Sequence, residues 1–277
     1  MKKFFASLVA ALLLIAAVNP VSVKAGGLLI SPGPADVTVY VTIVNSDVKL
    51  AQEPIKVADI DGDGALTVND ALYLAHEAKY TGGAAAGYAS AQSQWGLSLT
   101  KLWGVENGGS YGYYVNNTSA MGLTDPVKNG DHVNAFVYTD TTAFSDKYCF
   151  FDVNTVTGNT GKNITLTLSG AGYDSNWNPV TVAIAGATLT IDGKATSYKT
   201  DADGKVTFKV TEGGKHVIGA VSDKETLVAP VCIVTSEGKD STPKTGDNTL
   251  MIVGLLVMTA ICGMAVSVYY GKKEYEK

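Results

Sequence analysis

The chain has 277 residues with 21 lysines, no arginine and 26 Asp and Glu, for a formal charge of −5. An acidic chain without guanidinium forks is poorly suited to recognising nucleic acid or phosphate. Three cysteines are too few for a disulfide scaffold.

At the N-terminus, Lys2 and Lys3 precede the apolar run Phe4–Val18, and Val23-Lys24-Ala25 supplies small residues for a signal peptidase. Residues 1–25 therefore read as a secretory signal peptide, and 26–36 as a linker. From Gly26 to Thr245 there are 23 Asp and Glu against 15 Lys. Such a body suits a soluble, surface-exposed protein in a cation-rich setting.

A first module is expected over residues 37–152. Val37–Val44 alternates β-branched and polar residues (VTVYVTIV) and predicts a strand, with a weaker second strand over Val48–Val57. Next comes Asp59-Ile-Asp61-Gly-Asp63-Gly64-Ala65-Leu66-Thr67-Val-Asn-Asp70. It fits the twelve-residue EF-hand loop, with carboxylates at positions 1, 3, 5 and 12 and a glycine at position 6. Ca²⁺ is the cofactor this spacing points to. Ala65 would offer its carbonyl, and Thr67 would reach the ion directly or through water. The same residues also read as an Asp/Gly turn that caps the following helix through Thr67 and Asp70, a role compatible with calcium. Asp at the last ligand resembles the loops of dockerin modules. Those carry two loop–helix repeats, whereas this chain has one, preceded by a strand-like segment with Pro54, so docking to a cohesin is not expected.

The spacing predicts a helix over Val68–Tyr80, ended by Gly82-Gly83, and a second helical piece over Ala84–Trp95. Strands are expected at Tyr111–Asn116 and His132–Asp140, so the order is strand–strand–helix–strand–strand. The stretch Ser98–Asp140, with LTKLWGVENGG, SYGYYVNN and VKNGDHVNAFVY, resembles the transcobalamin-like C-terminal domain family. The resemblance covers roughly Val37–Asp152 and is most specific in the GYYVNN strand and the NGD turn. It implies a β-grasp-like fold, with the family's aromatic strand positions at Tyr113, Tyr114 and Asn116. Some relatives contact cobalamin through this domain, which makes Trp103, Tyr111 and Tyr113 candidate ligand-facing groups. No helical-barrel partner domain accompanies it here. The other reading places these aromatics in the core and in one exposed apolar patch.

Over residues 155–235 the texture changes to short alternating runs between turns, and six to seven strands are expected. This part, above all TDADGKVTFKVTEGGKHVIGA, resembles the bacterial Ig-like or transthyretin-like β-sandwiches that serve as spacers and adhesive repeats. Asp201 and Asp203 read as a hairpin turn, and Cys149 and Cys232 as two buried free thiols.

Residues 236–241 form a polar tether to Thr242-Pro243-Lys244-Thr245-Gly246. The apolar run Leu250–Tyr270 is long enough to span a bilayer, and the tail 271–277 opens with Lys272 and Lys273. This order resembles the sorting signal of Gram-positive surface proteins (LPXTG), with Thr242 in place of the usual Leu. The resemblance implies that a sortase thiolate attacks the Thr245 carbonyl and passes the chain to a peptidoglycan amine. The other reading is a plain membrane anchor with a coincidental PKTG. Both place the body outside the cell.

His76, His132 and His216 share no metal spacing, and no nucleophile elbow, P-loop or dinucleotide fingerprint occurs. The sequence thus predicts an α+β β-grasp-like domain followed by an all-β Ig-like sandwich. The function it predicts is a non-enzymatic, cell-wall-anchored protein with a calcium-stabilised binding module for an extracellular ligand. The alternative is surface capture of a small molecule such as a corrinoid.

Overall fold

The computed structural model describes residues 37–176 and 178–238. Residues 1–25, read as a signal peptide, the TPKTG segment read as a sorting motif, and the apolar run Leu250–Tyr270 lie outside the described residues. Among the described residues, no helix is long and apolar enough to cross a membrane.

The first half contains β1 (Val37–Asn45), β2 (Asp47–Val57), α1 (Val68–Lys79), α2 (Gly83–Gly87), β3 (Ala89–Ser93) and β4 (Gly96–Lys101). It continues with β5 (Tyr111–Val115), β6 (Thr118–Ser119) and β7 (His132–Val137). One mixed sheet runs in the order β2-β1-β7-β5-β6, with β1 and β7 parallel at its centre. The alternation in β1 decides what each face meets. Val39, Val41 and Ile43 are fully buried against Val68, Ala71, Leu72 and Ala75 of α1. Tyr40, Thr42 and Val44 point to the opposite face.

The second half contains β8 (Lys147–Phe151), β9 (Thr155–Asn159), β10 (Asn163–Tyr173), β11 (Pro179–Ala183) and β12 (Thr188–Ile191). It ends with β13 (Lys194–Lys199), β14 (Lys205–Lys209), β15 (Gly214–Val221), β16 (Leu227–Val228) and β17 (Cys232–Glu237). One sheet runs β11-β10-β8-β16, with β14 also on β10, and the other runs β13-β12-β15-β17-β9. Their inward residues share one core that includes Phe151, Leu166, Leu168, Leu189, Phe208, Ile218 and Val234. This half is therefore a β-sandwich.

Three elements differ from the sequence expectation. Residues 84–95 give only the short helix α2 before the β3–β4 hairpin takes over, because Gly82, Gly83 and Gly87 bracket the alanines and ASAQS/GLSLT alternates with period two. Strand β8, which falls inside the range 37–152 expected to form the first module, pairs with β10 and β16 of the sandwich. From Thr155 on, nine strands form among the described residues because long runs divide at turns, as PVTVAIAGATLTIDG does into β11 and β12. At one such turn Asp201 accepts the N–H groups of Asp203 and Lys205, as a hairpin turn requires.

The two halves meet on the face of the mixed sheet that α1 leaves open. Val44 and Phe136 pack there with Tyr148 and Val228. The rings of Tyr114 and Tyr148 stack with centroids 3.6 Å apart. A bulge in β2 sets two residues opposite Thr42, and Gln52 takes φ +48° there. The bulge aims the Gln52 amide across the junction, where Nε2 donates to Asn154 O (3.0 Å) and Val231 O (2.9 Å).

Candidate metal centre

The acidic loop connects the end of β2 to the start of α1, and hydrogen bonds within it explain its course. Asp59 accepts the N–H of Gly62 on one oxygen (2.7 Å) and that of Gly64 on the other (2.9 Å). Both glycines sit at positive φ, +77° and +86°, where a side chain would be strained. The Gly64 and Gly62 amides hold the Asp59 carboxyl below its ordinary range. Asp61 moves the other way: loss of solvent, then the charge of Asp63, pushes its pKa up. Asp63 itself accepts the Ala65 N–H at 2.7 Å.

One carboxylate oxygen from each of Asp59, Asp61 and Asp63 lies within 4.8 Å of the other two, and all three side chains are exposed. Three carboxylates so close repel unless a cation neutralises them, and a hard divalent ion takes such oxygens. These three residues fit Ca²⁺.

Asp70 and Thr67 are engaged differently. Asp70 is fully buried at the third position of α1. Its Oδ1 accepts the Ile60 N–H (3.0 Å), and its Oδ2 accepts both the N–H and the hydroxyl of Thr67 (2.7 Å each). The Asp70 N–H returns to Thr67 Oγ1, so both halves of a capping box are present. The Thr67 hydroxyl is committed to that cap. Asp70 Oδ1 retains one lone pair and ties the first turn of the loop to the helix it precedes.

The aromatic candidates Trp103, Tyr111 and Tyr113 all pack against the core of the first half. The Trp103 N–H donates to His76 Nε2 (3.0 Å), and its ring lies against His76 and Tyr80. The Tyr111 hydroxyl lies 2.8 Å from both Thr100 O and Val105 O and accepts the Asn107 N–H. Tyr113 is half-buried, and burial raises its pKa. The aromatic that stands out is Trp95, 87% exposed in the turn between β3 and β4. Cys149 and Cys232 are free and buried. Burial drives both thiol pKa values up, that of Cys232 to about 12.

Sequence reading gave no sign of Gln52 as the tie between halves, because nothing local distinguishes a bulge glutamine from a surface one. It also missed that Tyr40 and His132 stack, with ring centroids 4.9 Å apart. Their shared phase in two alternating strands was the available signal.

No protein-family model matches the chain. No curated protein matches it either. Among solved structures, the N-terminal four Ig domains of Dscam1 isoform 9.44 align at 13% identity with a TM-score of 0.21, covering 53% of this chain and 32% of that one. The same region of isoform 7.44 aligns at 10% identity with a TM-score of 0.22, covering 55% and 41%. The chain thus spans about a third to two fifths of those structures. Likeness at such scores carries no argument about fold or activity.

Proposed function

We propose that this chain is a non-enzymatic protein displayed on a Gram-positive cell wall, with a calcium-stabilised β-grasp-like binding module on an Ig-like spacer. The observation that carries the calcium part is the Asp59, Asp61 and Asp63 cluster, held in place by two glycines at positive φ. The β-grasp reading draws on the central parallel pair β1–β7, with α1 following the β1–β2 hairpin. Display rests on the sequence: a signal peptide, TPKTG, an apolar run and a lysine flank. The corrinoid alternative draws no support from Tyr111, whose hydroxyl is satisfied inside the fold, or from Trp103, whose ring lies against His76 and Tyr80.

Calcium at a hundred times its dissociation constant stabilises the folded state by about 2.7 kcal/mol. For a body of this size that amounts to a rise of roughly 5–10 °C in melting temperature. Asp59→Ala combined with Asp63→Ala abolishes the rise, and a parent protein whose melting temperature ignores calcium refutes the metal site. In the producing cell, Thr245→Ala moves the protein from the wall fraction to the membrane fraction. An unchanged wall fraction refutes sortase anchoring.

A further inference from the structure

A sheet edge leaves N–H and C=O groups unpaired, and proteins blunt such edges with charges, prolines, bulges or very short strands. Most edges among the described residues carry one of these devices. Strand β2 has the Gln52 bulge and Pro54, and β6 and β16 are two residues long. Strands β13 and β14 hold two lysines each, β11 opens with Pro179, and the β3–β4 hairpin shifts register at Ala89. Strand β9, Thr155-Val-Thr-Gly-Asn159, has none of them. It contains no charge and no proline, and it runs beside β17 in unbroken register.

The hydrogen bonds at its two ends fix which way the β9 backbone points. Asn154 O accepts the Ile233 N–H, and Glu237 O accepts the Thr160 N–H, both at 2.9 Å. A parallel ladder engages alternate residues of a strand, so between those ends Val156 and Gly158 bond to β17. Thr155, Thr157 and Asn159 therefore direct their N–H and C=O groups outward, and all three residues are exposed. Of these groups, the Asn159 carbonyl takes the Lys162 N–H at 3.2 Å and keeps a second lone pair. The first half of the chain does not cover this edge. A cleft of about 690 Å³, lined also by Tyr40, Pro54, His132 and Lys215, opens beside Thr155.

We infer that β9 is a self-association edge, on which β9 of a second copy pairs antiparallel about Thr157. In that register Thr157 faces its own counterpart and Thr155 faces Asn159, so each outward N–H meets an outward C=O on the two-fold partner. Threonines directly opposite each other also favour pairing through their hydroxyls. Charge selects a copy, and selects its direction. The chain is acidic overall, yet β9 itself is uncharged, so two copies meet there without like charges face to face. Along the chain the nearest charges have opposite signs, Asp152 before the strand and Lys162 after it. An antiparallel copy turns acid toward lysine at both ends, whereas a parallel copy turns like toward like. Glu237, the register partner of Asn159, lies one strand further in. The inference goes beyond the proposed function and stands without wall display.

The test is sedimentation equilibrium of the purified full chain in density-matched detergent. The parent dimerises with a dissociation constant below about 1 mM. Thr157→Lys sets two ammonium groups face to face at the two-fold and weakens dimerisation at least tenfold. Thr181→Lys, the same change on the exposed strand β11, leaves it within twofold. Cysteine pairs then read the register under mild air oxidation, in a Cys262→Ser background. Thr157→Cys chains link to one another, while Thr155→Cys chains link only when mixed with Asn159→Cys chains. Cys149 and Cys232 are buried and take no part. A parent that stays monomeric overturns the proposal, and so does a dimer indifferent to Thr157→Lys or equally sensitive to Thr181→Lys. Thr155→Cys chains that link to one another as readily as to Asn159→Cys chains overturn the antiparallel register.

Discussion

Replacing Gln52 with alanine tests how the two halves are joined. Gln52 is 6% exposed, and its Nε2 makes two hydrogen bonds that cross the junction, to Asn154 O and Val231 O. Each such bond contributes about 1 kcal/mol net, and a buried carbonyl left without a donor costs about 1–3 kcal/mol. Asn154 O keeps the Ile233 N–H at 2.9 Å, so Val231 O is the acceptor that suffers. Gln52→Ala should therefore cost roughly 2–4 kcal/mol. Backbone conformation adds a second, independent sign. Gln52 sits at φ +48°, where an L-residue pays about 1–2 kcal/mol and glycine almost nothing. Gln52→Gly loses the same bonds yet should be the less destabilised variant. The assay is urea unfolding followed by tryptophan fluorescence and by far-ultraviolet circular dichroism. The parent unfolds in one transition by both probes, while Gln52→Ala shifts the midpoint down and separates the two curves. A Gln52→Ala protein within 0.5 kcal/mol of the parent, or one more stable than Gln52→Gly, refutes the reasoning.

Two histidines give stability opposite pH dependences. His76 is buried with Nδ1 2.6 Å from Leu72 O and Nε2 accepting the Trp103 N–H, an arrangement that requires the neutral ring, and burial lowers its pKa below 6.5. The unfolded chain then binds the extra proton first, so stability is full above pH 6.5 and falls as acid is added; His76→Gln flattens that slope in denaturation curves between pH 7.5 and 5.5. His216 hydrogen-bonds Asp192 at 2.8 Å, which raises its pKa above 6.5. Its contribution is complete below pH 6.5 and lost as pH rises through the raised value, and His216→Gln removes that loss; identical slopes in parent and variant refute either assignment.

What the sequence made legible was local. The β1 alternation and the α1 spacing both mark elements whose hydrogen bonds close within a few residues or with an adjacent hairpin arm. The acidic loop was legible for the same reason: Asp59, Gly62 and Gly64 meet across five residues, and the Thr67–Asp70 box across three. The misplaced strand β8 has partners at Leu168–Gly170 and Leu227–Val228, and no local pattern announces pairings that distant. The second half of β1 shows the same limit. Thr42 and Val44 alternate as solvent-facing positions would, yet they are 3% and 6% exposed because the sandwich covers them. A period of two reports that successive residues face opposite ways, and it does not report whether one face or both are covered. The cleft is built from Tyr40, His132 and Lys215, which only the tertiary fold brings together.

The acidic loop and the cleft lined by Tyr40, Pro54, His132 and Lys215 lie on opposite sides of one sheet, and that placement bears on how the two could influence each other. The acidic loop feeds α1, which covers the face bearing Val39, Val41 and Ile43. The cleft opens on the face bearing Tyr40. Strand β2 is their one direct covalent link, running from Pro54 in the cleft to Val57, two residues before Asp59. Coupling between them would need β2 to have two arrangements that events at both would bias. From Glu53 to Val57 it pairs with Val41 to Val37 in unbroken register, and Lys79 of α1 holds Glu53. A strand fixed in that way offers no second arrangement. If the acidic loop holds calcium as proposed, the ion would act on the stability of the module, by closing the loop ahead of the helix, and the melting temperature would respond to a chelator while the cleft keeps its geometry.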